Sequence, residues 1–334
     1  MNKILLLLAA IILTTACGSD EKPKQTALTT PPPPTVAKKQ IPVPRFMQDS
    51  AFAFTEKQVA FGPRVPSSAA HKNCRQWLVN KFKAYGASVM EQNFQAADYK
   101  KANYEATNII ASYNPQNPER ILLAAHWDNR QVAEEDTKDK DKPILGADDG
   151  ASGVAVLLEI ARLLGQNPNE IGVDLILFDA EDNGQNNDES NLTWCLGSQY
   201  WSKNLHTAGY SPKYGILLDM VGGKDARFPK DGVSMRYASE AMDKVWKTAQ
   251  NIGNGNYFVD ETAPTFTDDH YFVNTLAKIP MLDIINLPAN NGNKLFPQHH
   301  HTHGDNMSVI DARTLRAVGQ TLLAVIYGES NGTL

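Results

Sequence analysis

A chain of 334 residues with 42% hydrophobic content can bury a large core, and its length suits one large α/β domain or two small ones. A net charge of −5 and the absence of any Lys/Arg-rich run argue against a nucleic-acid partner. Three cysteines are too few for a disulfide framework.

Met1-Asn2-Lys3 and the apolar residues 4–13 read as an export signal, too short to remain as a membrane-spanning helix. The signal ends in Leu13-Thr14-Thr15-Ala16-Cys17-Gly18-Ser19. Small residues before a lone Cys resemble a bacterial lipoprotein signal, although Thr14 stands where such signals usually carry Leu. The resemblance implies removal of the residues before Cys17 and a lipid anchor on it. An exported lipoprotein, periplasmic or anchored at the outer membrane, is expected. Residues 18–44 are Lys, Thr, Pro and Gln with Pro31 through Pro34 consecutive, too polar to fold alone, so they read as a semi-rigid tether. The folded body is then residues 45–334.

That body opens with Gly62-Pro63-Arg64-Val65-Pro66 as punctuation, and Ser67 or Ser68 is placed to cap a helix. Residues 69–85 carry Cys74, Trp77, Leu78 and Phe82 at helical spacing, and Gly86 stops them. Residues 87–96 alternate as a strand does, with Val89 and Gln92 on opposite faces. Two more strands are expected at 107–113 and 120–125, the second running into His126-Trp127-Asp128. Residues 129–143 are Lys/Asp-rich without periodicity and read as a solvated loop. Helix 154–164 follows Gly146-Ala147-Asp148-Asp149-Gly150-Ala151-Ser152-Gly153.

Residues 173–178 form an apolar run that stops at Asp179, Glu181 and Asp182, with Gly184 behind them. This is the pattern of a buried strand in a mostly parallel sheet. Ligands of open α/β sheets bind beyond the carboxyl ends of such strands, so all three acids are expected in that crevice. Carboxylates this close repel one another unless a cation or a shared proton compensates them. Farther on come a helix entered around 194–201, a strand at 214–218 ending in Asp219, and a helix at 238–252. A short helix is led in by Thr265-Phe266-Thr267-Asp268-Asp269-His270, then come a strand at 279–287, four histidines between 298 and 305, and a last helix at 311–327. Strands and helices alternate without repeats, which points to a single three-layer α/β/α domain around a mixed, mostly parallel sheet. Cys74 and Cys195 could form one bridge or stay as two buried thiols.

Zinc takes nitrogen from His and oxygen from Asp or Glu. His126, Asp128, Asp149, Glu181, Asp182, Asp219, Asp268 and His301 all fall at strand ends or in the loops beside them. A lone strand-end Asp is ordinarily a cap or a turn residue. The joint pattern is what points to a metal site.

His126-Trp127-Asp128, the Gly146–Gly153 stretch, Asp179-Ala180-Glu181-Asp182, Leu218-Asp219-Met220 and His301-Thr302-His303-Gly304-Asp305 occur in an order that resembles the two-zinc aminopeptidases and the animal-type glutaminyl cyclases, which share a fold. The match covers residues 50–330. Phe266-Thr267-Asp268-Asp269-His270 and the Trp194 to Tyr200 stretch are similar to the cyclase branch, in its Bacteroidetes form. The resemblance implies conversion of N-terminal Gln, on peptides or exported proteins, to pyroglutamate with loss of ammonia. It places one zinc on Asp149, Asp182 and His301. Glu181 becomes the general acid/base, with Asp219 and Asp268 as an acid network behind it. Trp194, Thr267 and Phe296 are candidates for the substrate pocket, His270 for orienting Asp268, and a monomer is expected. Two departures stand out: Asp182 occupies a position where the animal enzymes carry Glu, and His300 replaces a Trp. The alternatives are an aminopeptidase with two zinc ions, the second at His126, Asp149 and Asp219, and a lipoprotein that binds peptide or polysaccharide through a degenerate site.

Overall fold

The computed structural model describes residues 40–97, 103–186, 190–289, 291–292 and 294–334. Its strands in chain order are β1 (Ser88–Ala97), β2 (Asn103–Tyr113), β3 (Arg120–His126), β4 (Gly172–Phe178), β5 (Gly215–Asp219), β6 (Phe228–Lys230), β7 (Phe258–Thr262) and β8 (Met281–Ile285). Six of them form one sheet in the order β1-β2-β4-β3-β5-β8, while β6 and β7 pair separately. The β4, β3, β5 and β8 strands run parallel, and β1 and β2 add an antiparallel edge. The sheet is mixed and mostly parallel, as its apolar runs require.

Both faces of the parallel strands are covered. Ile121, Leu123 and Ala125 of β3, Leu175 and Leu177 of β4, and Ile216 and Leu218 of β5 face one core. Leu122, Ala124, Ile176 and Leu217 point the other way into a second core. Burial on both faces explains why these strands read as continuous apolar runs instead of alternating ones. The first core is closed by α1 (Gln48–Val59), α2 (Ala69–Ala84), α3 (Ala151–Gln166), α6 (Ser239–Asn251) and α8 (Ala312–Asn331). Over the second lie α4 (Leu196–Lys203) and the π-helical turn Val273–Ala277, which continues α7 (Asp269–Phe272). The short α5 (Gly232–Tyr237) packs beside β8.

Caps set the helix limits where the residues signalled them. Ser68 accepts from the His71 N–H to start α2, and Gly86, at φ +83°, follows its end. Asp311 starts α8, which continues past residue 327 to Gly332, at φ +69°. The α1 helix carried no clear signal because its inward residues are Ala51, Thr55 and Gln58, a small and polar stripe. Gln58 is buried all the same, since its Nε2 donates to the carbonyl of Ala151. The short β6 and α5 lack the length that periodicity needs, and β7, mostly exposed, carries no apolar run.

The expected tether boundary at residue 44 lies too far along the chain. Asn331 exchanges two hydrogen bonds with the Ile41 backbone, and Gln320 donates to the Pro44 carbonyl. Ile41 is apolar and packs on the main core, so the fold holds this segment. The rest of the proposed tether and the signal lie outside the described residues.

Helix α3 approaches the sheet closely at Gly153, where a Cβ would stand 2.7 Å from the Leu218 carbonyl oxygen and 2.9 Å from Ala125 Cβ. A Gly153→Val substitution must push α3 off the sheet. It is expected to cost about 1–3 kcal/mol in urea unfolding, and an unchanged midpoint would disprove the contact.

Candidate active site

The parallel strands all end on one side, and their last residues assemble there. His126 closes β3 and Asp219 closes β5, while β4 runs into a turn at Asp179–Gly184. Ala180, Met220 and His301, none of them glycine, sit in left-handed conformations at φ +56°, +49° and +51°. Strained backbone of this kind concentrates at functional sites.

Within that turn the acids divide their work. Asp128 does not join the donor cluster. Its carboxylate accepts from the Glu181 N–H (3.1 Å), the Asp182 N–H (3.2 Å) and Asn183 Nδ2 (2.9 Å), so it straps the turn in place. Asp179, expected in the crevice, turns into the body instead. It lies 2.9 Å from His71 Nε2 and accepts from the Thr107 N–H. Successive residues of a tight turn point in different directions, so only Glu181 and Asp182 reach the crevice.

Four of the predicted donors close around Asp149. His301 Nε2 lies 3.0 Å from Asp182 Oδ1 and 3.9 Å from Asp149 Oδ2. His126 Nε2 lies 2.9 Å from Asp149 Oδ1 and 3.3 Å from Asp219 Oδ1. Asp305 holds the loop by accepting from the Asp148 and Asp149 N–H groups. Gly150 leaves room for the His126 ring, since a Cβ there would stand 2.5 Å from His126 Nε2. Both His126 ring nitrogens, Asp182 Oδ2 and Asp219 Oδ1 are buried without a hydrogen-bond partner among the described residues. Buried polar atoms left unmatched are costly unless something else satisfies them. A mixed nitrogen and oxygen set of this kind fits a zinc-type cation.

Glu181 sits over this cluster with its side chain 15% exposed. Its Oε1 accepts from the Cys195 thiol at 3.3 Å, and its Oε2 is 3.8 Å from His126 Nδ1. Burial, together with the charges of Asp182, Asp268 and Asp269, pushes its carboxyl well above the usual range, His126 opposing. Burial also pushes Asp219 to about 7, aided by Asp149 and Asp268 against the His126 contact. Donor oxygens of Asp268 and Glu181 and the Cys195 sulfur lie within 4.8 Å of one another. Asp268 also caps α7 through the Asp269 N–H. His270 Nε2 lies 3.2 Å from Asp231 Oδ1, and donor atoms of His270, Asp268 and Asp283 lie within 4.8 Å of one another.

A cavity of about 910 Å³ opens above, lined by the three predicted pocket residues Trp194, Thr267 and Phe296 together with Asp149, Glu181, Asp182, Asp219, Asp268 and His301. Among the predicted site residues absent from its wall are His126 and the two acids that hold other partners, Asp128 and Asp179. The Trp194 ring is close to parallel with that of His301 (6.1 Å) and rests on Gly184, where a Cβ would meet the indole at 2.0 Å. His300 stacks between Phe296 (4.5 Å) and His301 (3.7 Å) and adds a flat face to the wall. His299 bonds Asp148, and the His303 N–H donates to Asp136. Cys74 and Cys195 are both free and buried.

One expectation fails outright. The loop at 129–143 is not simply solvated. Asn129 and Arg130 are buried, and Glu134 Oε1 lies 2.9 Å from His301 Nδ1. Arg130 and Glu134 stand four residues apart with opposite charge, directly behind the His126 motif. That spacing was the available signal, hidden among the exposed charges around it.

Residues 108–326 match peptidase family M28. Among solved structures, the chain is 48% identical to Bacteroides thetaiotaomicron glutaminyl cyclase bound to N-acetylhistamine, over 86% of this chain and 99% of that one, with a TM-score of 0.83. A Zn-dependent exopeptidase from Parabacteroides distasonis is 47% identical over the same shares, also with a TM-score of 0.83. The glutaminyl-peptide cyclotransferase of Drosophila melanogaster is 24% identical over 280 residues, 75% of this chain and 73% of its own. With the match running from β2 into α8, through every strand end that carries the donor cluster, the chain belongs to peptidase family M28.

Proposed function

We propose that the chain is a zinc-dependent glutaminyl-peptide cyclotransferase. The observation that carries this reading is Glu181, which lies on the cavity floor between the donor cluster and the acid Asp268. Burial and the neighbouring acids raise its carboxyl well above the usual range, as a group that must take up a proton and give it back requires. Asp149, Asp182 and His301 would hold the metal. When bound, zinc supplies Lewis-acid polarisation of a carbonyl oxygen.

The chain's own groups account for the rest. An N-terminal Gln enters with its side chain against the Trp194, Phe296 and His300 rings, which exclude water. The α-amine then lies within reach of its own γ-amide carbon, and intramolecular proximity favours the five-membered ring. Glu181 removes a proton from that amine as the carbon–nitrogen bond forms. It returns the proton to the amide nitrogen as that bond breaks, and ammonia leaves. Asp219 and Asp268 hold Glu181 in an acidic environment and so keep its proton available. No water is consumed.

One zinc per chain belongs to this reading. The rival is a two-zinc aminopeptidase, favoured by the donor atoms of His126, Asp149 and Asp219 lying within 4.8 Å of one another. The test is incubation of the purified chain with a Gln-initiated peptide, followed by ammonia release and mass spectrometry, beside metal analysis. Loss of ammonia with the peptide otherwise intact is expected. Release of the first residue with two metal equivalents would mean the aminopeptidase.

We further propose that the enzyme is exported and anchored by lipid at Cys17, acting on exported Gln-initiated chains. The support is the apolar run and small-residue pattern before Cys17. Palmitate labelling that persists in a Cys17→Ser variant would overturn this placement.

A further inference from the structure

Arg130 is 2% exposed, and its guanidinium is fully committed. Nη1 donates to the carbonyls of Asp182 (2.9 Å) and Gly184 (2.7 Å), while Nε and Nη2 hold Glu134. The guanidinium carbon also lies over the Trp194 ring at 4.5 Å. Glu134 in turn faces His301 Nδ1 at 2.9 Å and accepts from Asn186 Nδ2. A carboxylate can only accept, so the His301 Nδ1–H must donate, which leaves Nε2, aimed at Asp182 and Asp149, as the ring nitrogen that a cation takes once its proton is displaced. The backbone repeats the grip, because the Glu135 N–H donates to the His301 carbonyl.

We propose that Arg130 and Glu134 are positioning residues for the metal centre. Glu134 fixes the tautomer and angle of His301, while Arg130 fixes the backbone of Asp182 and the tilt of Trp194. One ion pair thereby sets two metal ligands and one wall of the substrate pocket. Partners of this kind hold a ligating imidazole against rotation and raise its basicity, and their loss typically weakens metal binding by about 10–100-fold. The inference rests on the metal reading above and not on the identity of the reaction.

The experiment measures zinc dissociation constants by chelator competition, and zinc-induced shifts of melting temperature, on full-length chains. Glu134→Ala is expected to weaken zinc binding about 10–100-fold and to shrink the zinc-induced shift. Glu134→Gln keeps an accepting oxygen for Nδ1–H and is expected to fall between Glu134→Ala and the wild type. Asp139→Asn, an exposed change in the same loop, is expected to leave zinc affinity unchanged. A merely structural role would lower the melting temperature with and without zinc alike and leave the shift intact. If Glu134→Ala fails to fold, Glu134→Gln decides. Wild-type zinc affinity in every folded Glu134 variant overturns the proposal. A wild type that binds zinc but leaves Gln peptides unchanged overturns the reaction and leaves this test standing, because no turnover is read.

Discussion

Glu181→Gln is expected to lower turnover on a Gln-initiated peptide by about 10²–10⁴-fold while leaving fold and zinc content unchanged. The amide has the same shape as the carboxylate and can still accept from the Cys195 thiol, whose proton burial and the nearby Glu181 hold in place. What it cannot do is take a proton from one nitrogen and deliver it to another. Removing a charge from a crowded acidic cluster should, if anything, ease repulsion with Asp182, Asp268 and Asp269. The measurement is kcat for ammonia release alongside melting temperature and metal content. Near-normal turnover in this variant would remove Glu181 from the chemistry, and the water-activating alternative along with it. Loss of zinc together with activity would instead make Glu181 a ligand.

His301→Ala is expected to abolish stoichiometric zinc binding and activity together, with Asp182→Ala next in severity. A pH dependence accompanies this loss. Without metal, burial pulls His301 down, but contacts with Asp182, Glu134 and Asp149 outweigh it and raise the imidazole to about 10. Burial and the nearby Asp149 raise Asp182 to about 6. Zinc binds the deprotonated forms, so it must displace a proton from His301 across the neutral range and a second one from Asp182 below about 6. The sign is therefore fixed: apparent affinity weakens as pH falls, by roughly tenfold per pH unit from His301 alone, and more steeply once Asp182 protonates. Chelator competition at mildly alkaline and mildly acid pH reads this directly. An affinity independent of pH would place the metal on other donors.

Much of the fold was legible because its signals are local. A strand buried on both faces is an unbroken apolar run whatever its neighbours are, as β3 and β4 show. A cap such as Ser68 or Asp311 acts within three residues. Where the inward face was small and polar, as in α1, or the element was three residues long, as in β6, no local pattern existed to be read.

The candidate site divides in the same way. The residues alone placed His126, Asp149, Glu181, Asp182, Asp219, Asp268 and His301 at strand ends and nearby loops, where a parallel sheet presents its ligands. The resemblance to the cyclases marked Trp194, Thr267 and Phe296 as candidates for the cavity wall. Only the tertiary structure decided which acid does what. Strand order sets β3 beside β4, so Asp128 meets the backbone of Glu181 and Asp182 and becomes a strap instead of a ligand. The turn after Phe178 sends Asp179 to His71. The loop at 129–143 folds back to hold His301 through Glu134. The role of a carboxylate depends on which donor or charge stands within about 3 Å of it. The identity of a residue is written in the chain, but that neighbour is brought to it across 53 positions for Asp128 and Glu181, and 167 for Glu134 and His301.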